Sequence, residues 1–221
     1  MSERLFFVLN RLGDFDFGAL IDKYLPDQVV DIGCAPPASA DDYRLVILWN
    51  YRQIVANLPE NNNFILFHSS DLPAGKGWAP IYHALAESRS HYTISGLLAS
   101  DQVDSGDVIL KARFPILPNY TAADLRKFDA EISIMLVAKI LEKFKGQKVA
   151  GVPQSGLSTY RKRRHPEDNL IDIGRPFREL IPHLRACEPA HPAVFDWEGE
   201  RYRVEISSMI GAEFPQHEEN N

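Results

Sequence analysis

At 221 residues, 45% of them apolar and 24% charged, the chain has the makeup of a folded protein with room for one large domain or a main domain and a small appendage, and disorder is excluded as the default. A net charge of −6 and a pI near 5.6 argue against broad binding to nucleic acid, which calls for a basic face. Two cysteines, Cys34 and Cys187, supply neither a disulfide framework nor a zinc spacing, and no stretch approaches the roughly 18 apolar residues of a membrane span, so a cytoplasmic protein without a metal site is expected.

The opening apolar run, RLFFVL (residues 4–9), is too short for the core of a secretion signal and reads as a buried strand. A helix follows with Asp16 as its cap and Phe17, Leu20, Ile21 and Leu25 on one stripe. QVVDI (28–32), YRLVILW (43–49) and FILF (64–67) are further short runs rich in Val, Ile, Leu and Phe. Runs of this kind suit a parallel sheet covered on both faces, which predicts a doubly wound α/β domain. PIYHALAES (80–88) reads as a helix, HYTISGLLAS and DVILKARFPI as strands joined by the turn DQVDSG. The strongest helical pattern runs from Thr121 to Lys145, with Leu125, Phe128, Ile132, Leu136, Ile140 and Phe144 on one stripe, and Gly146 ends it. A polar connector, GVPQSGLSTYRKRRHPEDN, leads to a short helix at 176–186 and a hairpin, AVFDW and RYRVEI, turning at Glu198-Gly199. The tail HEENN is expected to fray. The division expected is a catalytic domain over 1–145, then the connector and a small α+β subdomain over 146–221.

One stretch, FHSSDLPAGKGWAP (67–80), has the look of a phosphate loop. The P-loop pattern G-x-x-x-x-G-K-[ST] fails twice, because Gly77 follows Lys76 and Ser70 stands where the first glycine belongs. What remains is a histidine at a strand mouth beside serines, an aspartate and a glycine-flanked lysine. Ligands of open α/β sheets bind beyond the carboxyl ends of the strands, and His68 and Asn50 both follow strands in that way. A lone histidine there is more often a packing residue, and Asp104 in VDSGD is explained by turn chemistry alone. Together they would make a general base with an orienting, charge-balancing carboxylate.

The two stretches HSSDLPAGKGWAPIYHAL and TISGLLASDQVDSGDVIL together resemble the folate-dependent formyltransferase family, which takes in glycinamide ribonucleotide, methionyl-tRNA and sugar N-formyltransferases. His68, Ser70, Leu72, Pro73, Gly77 and Pro80 match the family's N-x-H-x-S-x-L-P segment and the glycine loop after it. Asp104, Gly106 and Ile109 match its D-x-G-x-x-I element, and PQSGLSTYRKRRHPEDNLID is similar to the region beyond its catalytic domain. The resemblance covers roughly residues 43–172. It implies a Rossmann-like formyltransferase domain with a shortened N-terminal sheet and a small C-terminal α+β subdomain, and 10-formyltetrahydrofolate as co-substrate. The detail of HSSDLPAGKGWAP is most similar to bacterial sugar N-formyltransferases of pseudaminic-acid-type pathways, which implies a nucleotide-linked 4-amino-4,6-dideoxy sugar as the amine acceptor.

On that resemblance His68 and Asp104 are the catalytic pair, with Asn50 and Ser70 beside them. The folate lies along Tyr51, Arg52, Gln53, Ile54 and Val55 and the backbone of Val103, Ser105 and Gly106. An apolar wall of Leu66, Phe67 and Leu97 could hold the pterin, although plain core packing is the more frequent reason for three such residues. Lys76, Gly77 and Trp78 face the acceptor, Lys76 toward a phosphate and Trp78 as a stacking surface. One departure matters: the family's asparagine, two residues before the histidine, is Leu66 here. Asn50, Ser70 or a backbone N–H would have to stand in as oxyanion donor. Three other readings stay open: a methionyl-tRNA formyltransferase using the basic run Arg161–Arg164, a formyltetrahydrofolate hydrolase, and an inactive folate-binding homologue. No membrane or nucleic-acid partner is expected, and the edge strands of the C-terminal hairpin suit a homodimer.

Overall fold

The computed structural model describes residues 4–12, 18–59, 62–209 and 213–214. Asp16, Phe17 and the HEENN tail lie outside the described residues. The apolar runs become one six-stranded sheet in the order β2-β1-β3-β4-β6-β7. Its strands are β1 (Arg4–Val8), β2 (Val29–Gly33), β3 (Leu45–Leu48), β4 (Phe64–His68), β6 (His91–Leu98) and β7 (Val108–Pro115). The pairs among β1, β2, β3 and β4 are parallel, whereas β4–β6 and β6–β7 are antiparallel. The connection at 99–107 is too short for a parallel crossover, which takes about a dozen residues or more, so β6 and β7 pair as a hairpin.

Period-2 alternation sorts the central strands cleanly. Leu5, Phe7, Leu45, Ile47 and Ile65 point to the face packed by Ile134, Val137 and Ile140 of α3 (Ala122–Lys143) and by Leu20 and Ile21 of α1 (Gly18–Tyr24). Farther along the sheet, Ile94, Ala112 and Phe114 meet Leu125, Phe128, Ile132 and Leu136 of α3 and Ile81 and Leu85 of α2 (Pro80–Ala86). The predicted stripe of α3 therefore serves two adjoining clusters, and a capping box of Thr121 and Asp124 opens the helix. Val8, Val46, Leu48, Phe64 and Leu66 point the other way, and Ala40, Tyr43, Tyr51, Val55 and Leu58 cover them. Among the described residues this second face carries loops rather than the second helical layer of a doubly wound sheet, because the links β2–β3 and β3–β4 hold only a single 3-10 turn at Ala40–Asp42. By the same alternation His68 opens onto the loop-covered face.

Two short strands, β5 (Lys76–Gly77) and β8 (Tyr160–Arg161), pair in parallel and bring the connector back over the sheet. Beyond it α4 (Phe177–Ala186) and the hairpin β9 (Ala193–Trp197) and β10 (Glu200–Val204) form a small cluster around Ile171, Leu180, Leu184 and Ala193. Glu198 and Gly199 turn the hairpin with φ of 50° and 86°, the left-handed pair that a two-residue type I′ turn requires. No helix among the described residues is long and apolar enough to cross a membrane.

Candidate functional site

His68 ends β4 and is buried, at 8% exposure, so both of its ring nitrogens answer to protein groups. Nε2 lies 2.9 Å from the Gly75 carbonyl oxygen. A carbonyl only accepts, so Nε2 carries a hydrogen. Nδ1 faces the Asp104 carboxylate at 3.4 Å. The singly protonated ring then turns a lone pair toward an anion, whereas the imidazolium satisfies both neighbours. The geometry is that of a ring that can receive a proton with a carboxylate in place to hold the resulting charge.

Asp104 reaches His68 by an indirect route. The turn that carries it leaves the sheet beside Phe64, at the far end of β4, where the Ala99 N–H donates to the Phe64 carbonyl. Asp104 itself is left-handed, with φ of 49°, and its Oδ2 accepts the Gly77 N–H at 2.8 Å. Gly106 has no room for a side chain, since a Cβ there would sit 1.8 Å from the Leu98 carbonyl oxygen. The turn is held by a residue from the connector: the Gln154 side-chain amide donates to the Asp104 carbonyl at 2.8 Å and to the Gly106 carbonyl at 2.9 Å.

The connector grips the glycine loop as well. Gly75 N–H donates to Thr159 Oγ1 at 2.8 Å, Lys76 N–H to the Thr159 carbonyl at 2.9 Å, and Trp78 N–H to the Arg161 carbonyl at 3.0 Å. Gly77, with φ of 92°, lets the loop lie against Arg161, whose carbonyl oxygen would stand 2.4 Å from a Cβ at that position. Lys76 Nζ donates to Ser105 Oγ at 2.8 Å, which joins the loop to the Asp104 turn. Lys76, Gly77, Asp104, Ser105 and His68 are thus one connected constellation.

Other predicted residues fall differently. Ser70 is buried and donates to the Ala74 carbonyl at 2.8 Å, shaping the loop from within. Asn50 is exposed and left-handed, with φ of 49°, its carbonyl held by the Asn10 amide, and among the described contacts it has none with His68 or Asp104. Tyr51 and Val55 pack with Leu48 and Leu66 on the face of His68, while Arg52, Gln53, Ile54 and Val103 are exposed. The wall of Leu66, Phe67 and Leu97 is split by the pleat. Leu66 and its register partner Leu97 share the His68 face, and Phe67 packs toward α3 on the reverse. Leu48, Leu66, Tyr51 and Val55 therefore form one apolar cluster on the face to which His68 opens.

The basic run is committed to the fold. Arg161 pairs with Glu87, the Arg163 guanidinium lies 5.1 Å from the centre of the Trp78 ring, and Arg164 bonds Asn169 while stacking 3.2 Å from the Tyr82 ring centre. Lys162 alone of the four points to solvent without a contact of this kind among the described residues. Sequence reasoning missed Gln154, Thr159 and Asp129. The first two stand in the quoted connector motif, which was their one visible signal; Asp129 has none, being one acid on an amphipathic helix.

Residues 44–138 match the family described as Formyl transferase. The methionyl-tRNA formyltransferase of Koribacter versatilis is 27% identical over 198 residues, covering 89% of this chain and 59% of that one. The chain spans about half the length of the curated relatives it matches. Among solved structures, HypX from Aquifex aeolicus in complex with tetrahydrofolic acid superposes with a TM-score of 0.69 at 15% identity, covering 96% of this chain and 39% of that chain. A 4-N formyltransferase from Francisella tularensis gives 0.69 at 16% identity, covering 94% and 98%. At these identities the two structures speak for the fold.

Proposed function

We propose that this chain, which belongs to the formyl transferase family through residues 44–138, moves a formyl group from 10-formyltetrahydrofolate to the primary amine of a nucleotide-linked amino sugar. The observation that carries the reaction class is the His68–Asp104 pair, with Nε2–H on a carbonyl and Nδ1 on a carboxylate. The co-substrate supplies an activated formyl carbon on nitrogen. As the acceptor amine bonds to that carbon, His68 takes up the amine proton while Asp104 holds the imidazolium, and as the bond to the folate nitrogen breaks the proton passes to that nitrogen, which leaves as a neutral amine and restores the ring. Leu48, Leu66, Tyr51 and Val55 offer the pterin an apolar, aromatic-edged surface, and the carbonyls and N–H groups of 103–106 read its edge. This differs from the expected set in that Arg52, Gln53 and Ile54 flank rather than line it.

Sugar is favoured over tRNA by charge. Arg161 pairs with Glu87, Arg163 and Arg164 lie against Trp78 and Tyr82, and Arg164 also bonds Asn169, so three of the four cations are engaged within the chain and Lys162 is left to solvent. Lys76, Gly77 and Trp78 are the acceptor side of the constellation, with the acceptor's phosphate assigned to Lys76. The narrower expectation is a UDP- or dTDP-linked 4-amino-4,6-dideoxy sugar. The similarity of the Koribacter protein keeps tRNA as the second reading.

The test is mass spectrometry after incubation with 10-formyltetrahydrofolate and a panel of UDP- and dTDP-linked 4-amino sugars, with initiator methionyl-tRNA in a parallel arm. A formyl adduct on one sugar, lost in His68→Ala and Asp104→Ala, is the expected result. Formylated tRNA alone overturns the sugar reading, formate without an acceptor points to hydrolysis, and no consumption of the folate overturns the reaction class.

A further inference from the structure

Behind the catalytic strand lies a carboxyl group that the proposed reaction does not use. Asp129, on the first half of α3, is set between the helix and the sheet, where one of its oxygens, Oδ1, accepts from Ser69 Oγ and from Tyr92 OH, each at 2.5 Å. Ser69 directly follows His68, and Tyr92 lies on β6, the strand paired with β4. By the strand alternation Ser69 points to the reverse face, so Asp129 and Asp104 approach the end of β4 from opposite sides.

The arginine nearest Asp129 in the helix is otherwise engaged: Arg126, one turn earlier on α3, binds Glu188 through two nitrogens at 2.8 and 2.5 Å. Among the described residues no cation forms an ion pair with Asp129. Burial raises its carboxyl above the ordinary carboxylate range, against the opposing pull of Ser69, Tyr92, Arg126 and His68. A carboxyl group set where burial opposes its ionisation, and where an amide would fill the same space, calls for a use.

We infer that Asp129 is a positioning residue for His68: its carboxylate fixes the Ser69 corner from behind and adds a second negative charge that steadies the imidazolium formed during transfer. This rests on the formyl-transfer reading for its consequence in turnover, but the electrostatic link can be read without any turnover. A purely structural Asp129 would act through its two hydroxyl contacts, which Asn keeps; a charge acting on His68 would not survive that change.

The experiment compares wild-type protein with Asp129→Asn by histidine-ring NMR titration, pH–rate profile and thermal melting. Loss of the charge is expected to move the His68 titration midpoint down by roughly half a pH unit. The acidic limb of kcat should follow by the same amount, and kcat at neutral pH should fall by up to about threefold with the acceptor KM unchanged. The melting temperature should hold or rise. An unmoved His68 midpoint overturns the inference even where transfer is robust, and absence of transfer in wild type overturns only the reaction reading. A second measurement does not depend on the variant folding: in wild-type protein the Asp129 carboxyl ¹³C signal should show a step at the pH where His68 titrates, and no step there overturns the inference as well.

Discussion

Gln154→Ala is the most informative single change, because it touches neither His68 nor Asp104 side chains and yet removes what holds Asp104 in place. Two hydrogen bonds are lost, at 2.8 and 2.9 Å, each worth about 0.5–1.5 kcal/mol net. The Asp104 backbone they restrain is left-handed, a conformation that costs a non-glycine residue about 1–2 kcal/mol and that the freed turn would tend to leave. Two average hydrogen bonds alone give about 2 kcal/mol in favour of relaxation, or about 30-fold fewer molecules with the carboxylate beside His68. The prediction is a fall in kcat/KM of about 30-fold with circular dichroism unchanged and a small drop in melting temperature, the fault being local. Gln154→Glu should do at least as much harm, since it replaces the donor by an anion facing two carbonyls. Amide hydrogen exchange at Gly77, whose N–H rests on Asp104, should speed up in step with the loss of activity. Activity within twofold of wild type, with Gly77 exchange unaltered, would refute the idea that the connector sets the catalytic aspartate.

Three further outcomes are expected. Leu66→Asn puts an amide on the His68 face of β4, in an apolar cluster; it should cost about 1–3 kcal/mol in urea unfolding while raising turnover about tenfold or more, and unchanged turnover would show that another donor already serves the oxyanion. Gly77→Ala forces a side chain into a left-handed position 2.4 Å from the Arg161 carbonyl oxygen, and a cost of about 2 kcal/mol should appear as a melting temperature lower by about 4–8 °C, checked by scanning calorimetry. His83 and His183 are both held below the ordinary histidine range by burial, with Arg161 and Arg164 respectively adding to it. The unfolded chain therefore binds more protons than the folded one from about pH 6.5 downward, so stability should fall as pH is lowered from 7.5 to 5.5, with a shallower slope in His183→Gln.

The strands and helices were legible because each carries its own periodicity: the run at 64–67 and the stripe from Leu125 to Ile140 announce burial on a fixed face. His68, Asp104 and Gly106 were legible only as members of a motif. What stayed hidden are contacts made by one side chain across a long loop. Gln154 meets Asp104 and Gly106 across separations of 50 and 48 positions in the chain, and no local pattern encodes such a meeting. Asn50 shows a related limit, since its position after a strand predicts the crevice, whereas neither its left-handed φ nor the Asn10 amide on its carbonyl has a local signal. The run Arg161–Arg164 read as a surface because its counter-groups, Glu87, Trp78 and Tyr82, belong to another part of the sequence. The loop cover of the sheet's second face could not be foreseen either, for apolar alternation shows that a face is covered but not by what.

The strap formed by Gln154, Thr159 and Arg161 also sets the order in which the site can be finished. Everything up to α3 can collapse on local pairings, with His68 already at the end of its strand. The glycine loop and the Asp104 turn, however, wait for backbone and side-chain partners that emerge from the ribosome some 50 residues later. The His68–Asp104 arrangement is therefore completed by a segment that lies outside the sheet and α3, and a change that loosens the connector would reach the aspartate through Gln154 without disturbing the core.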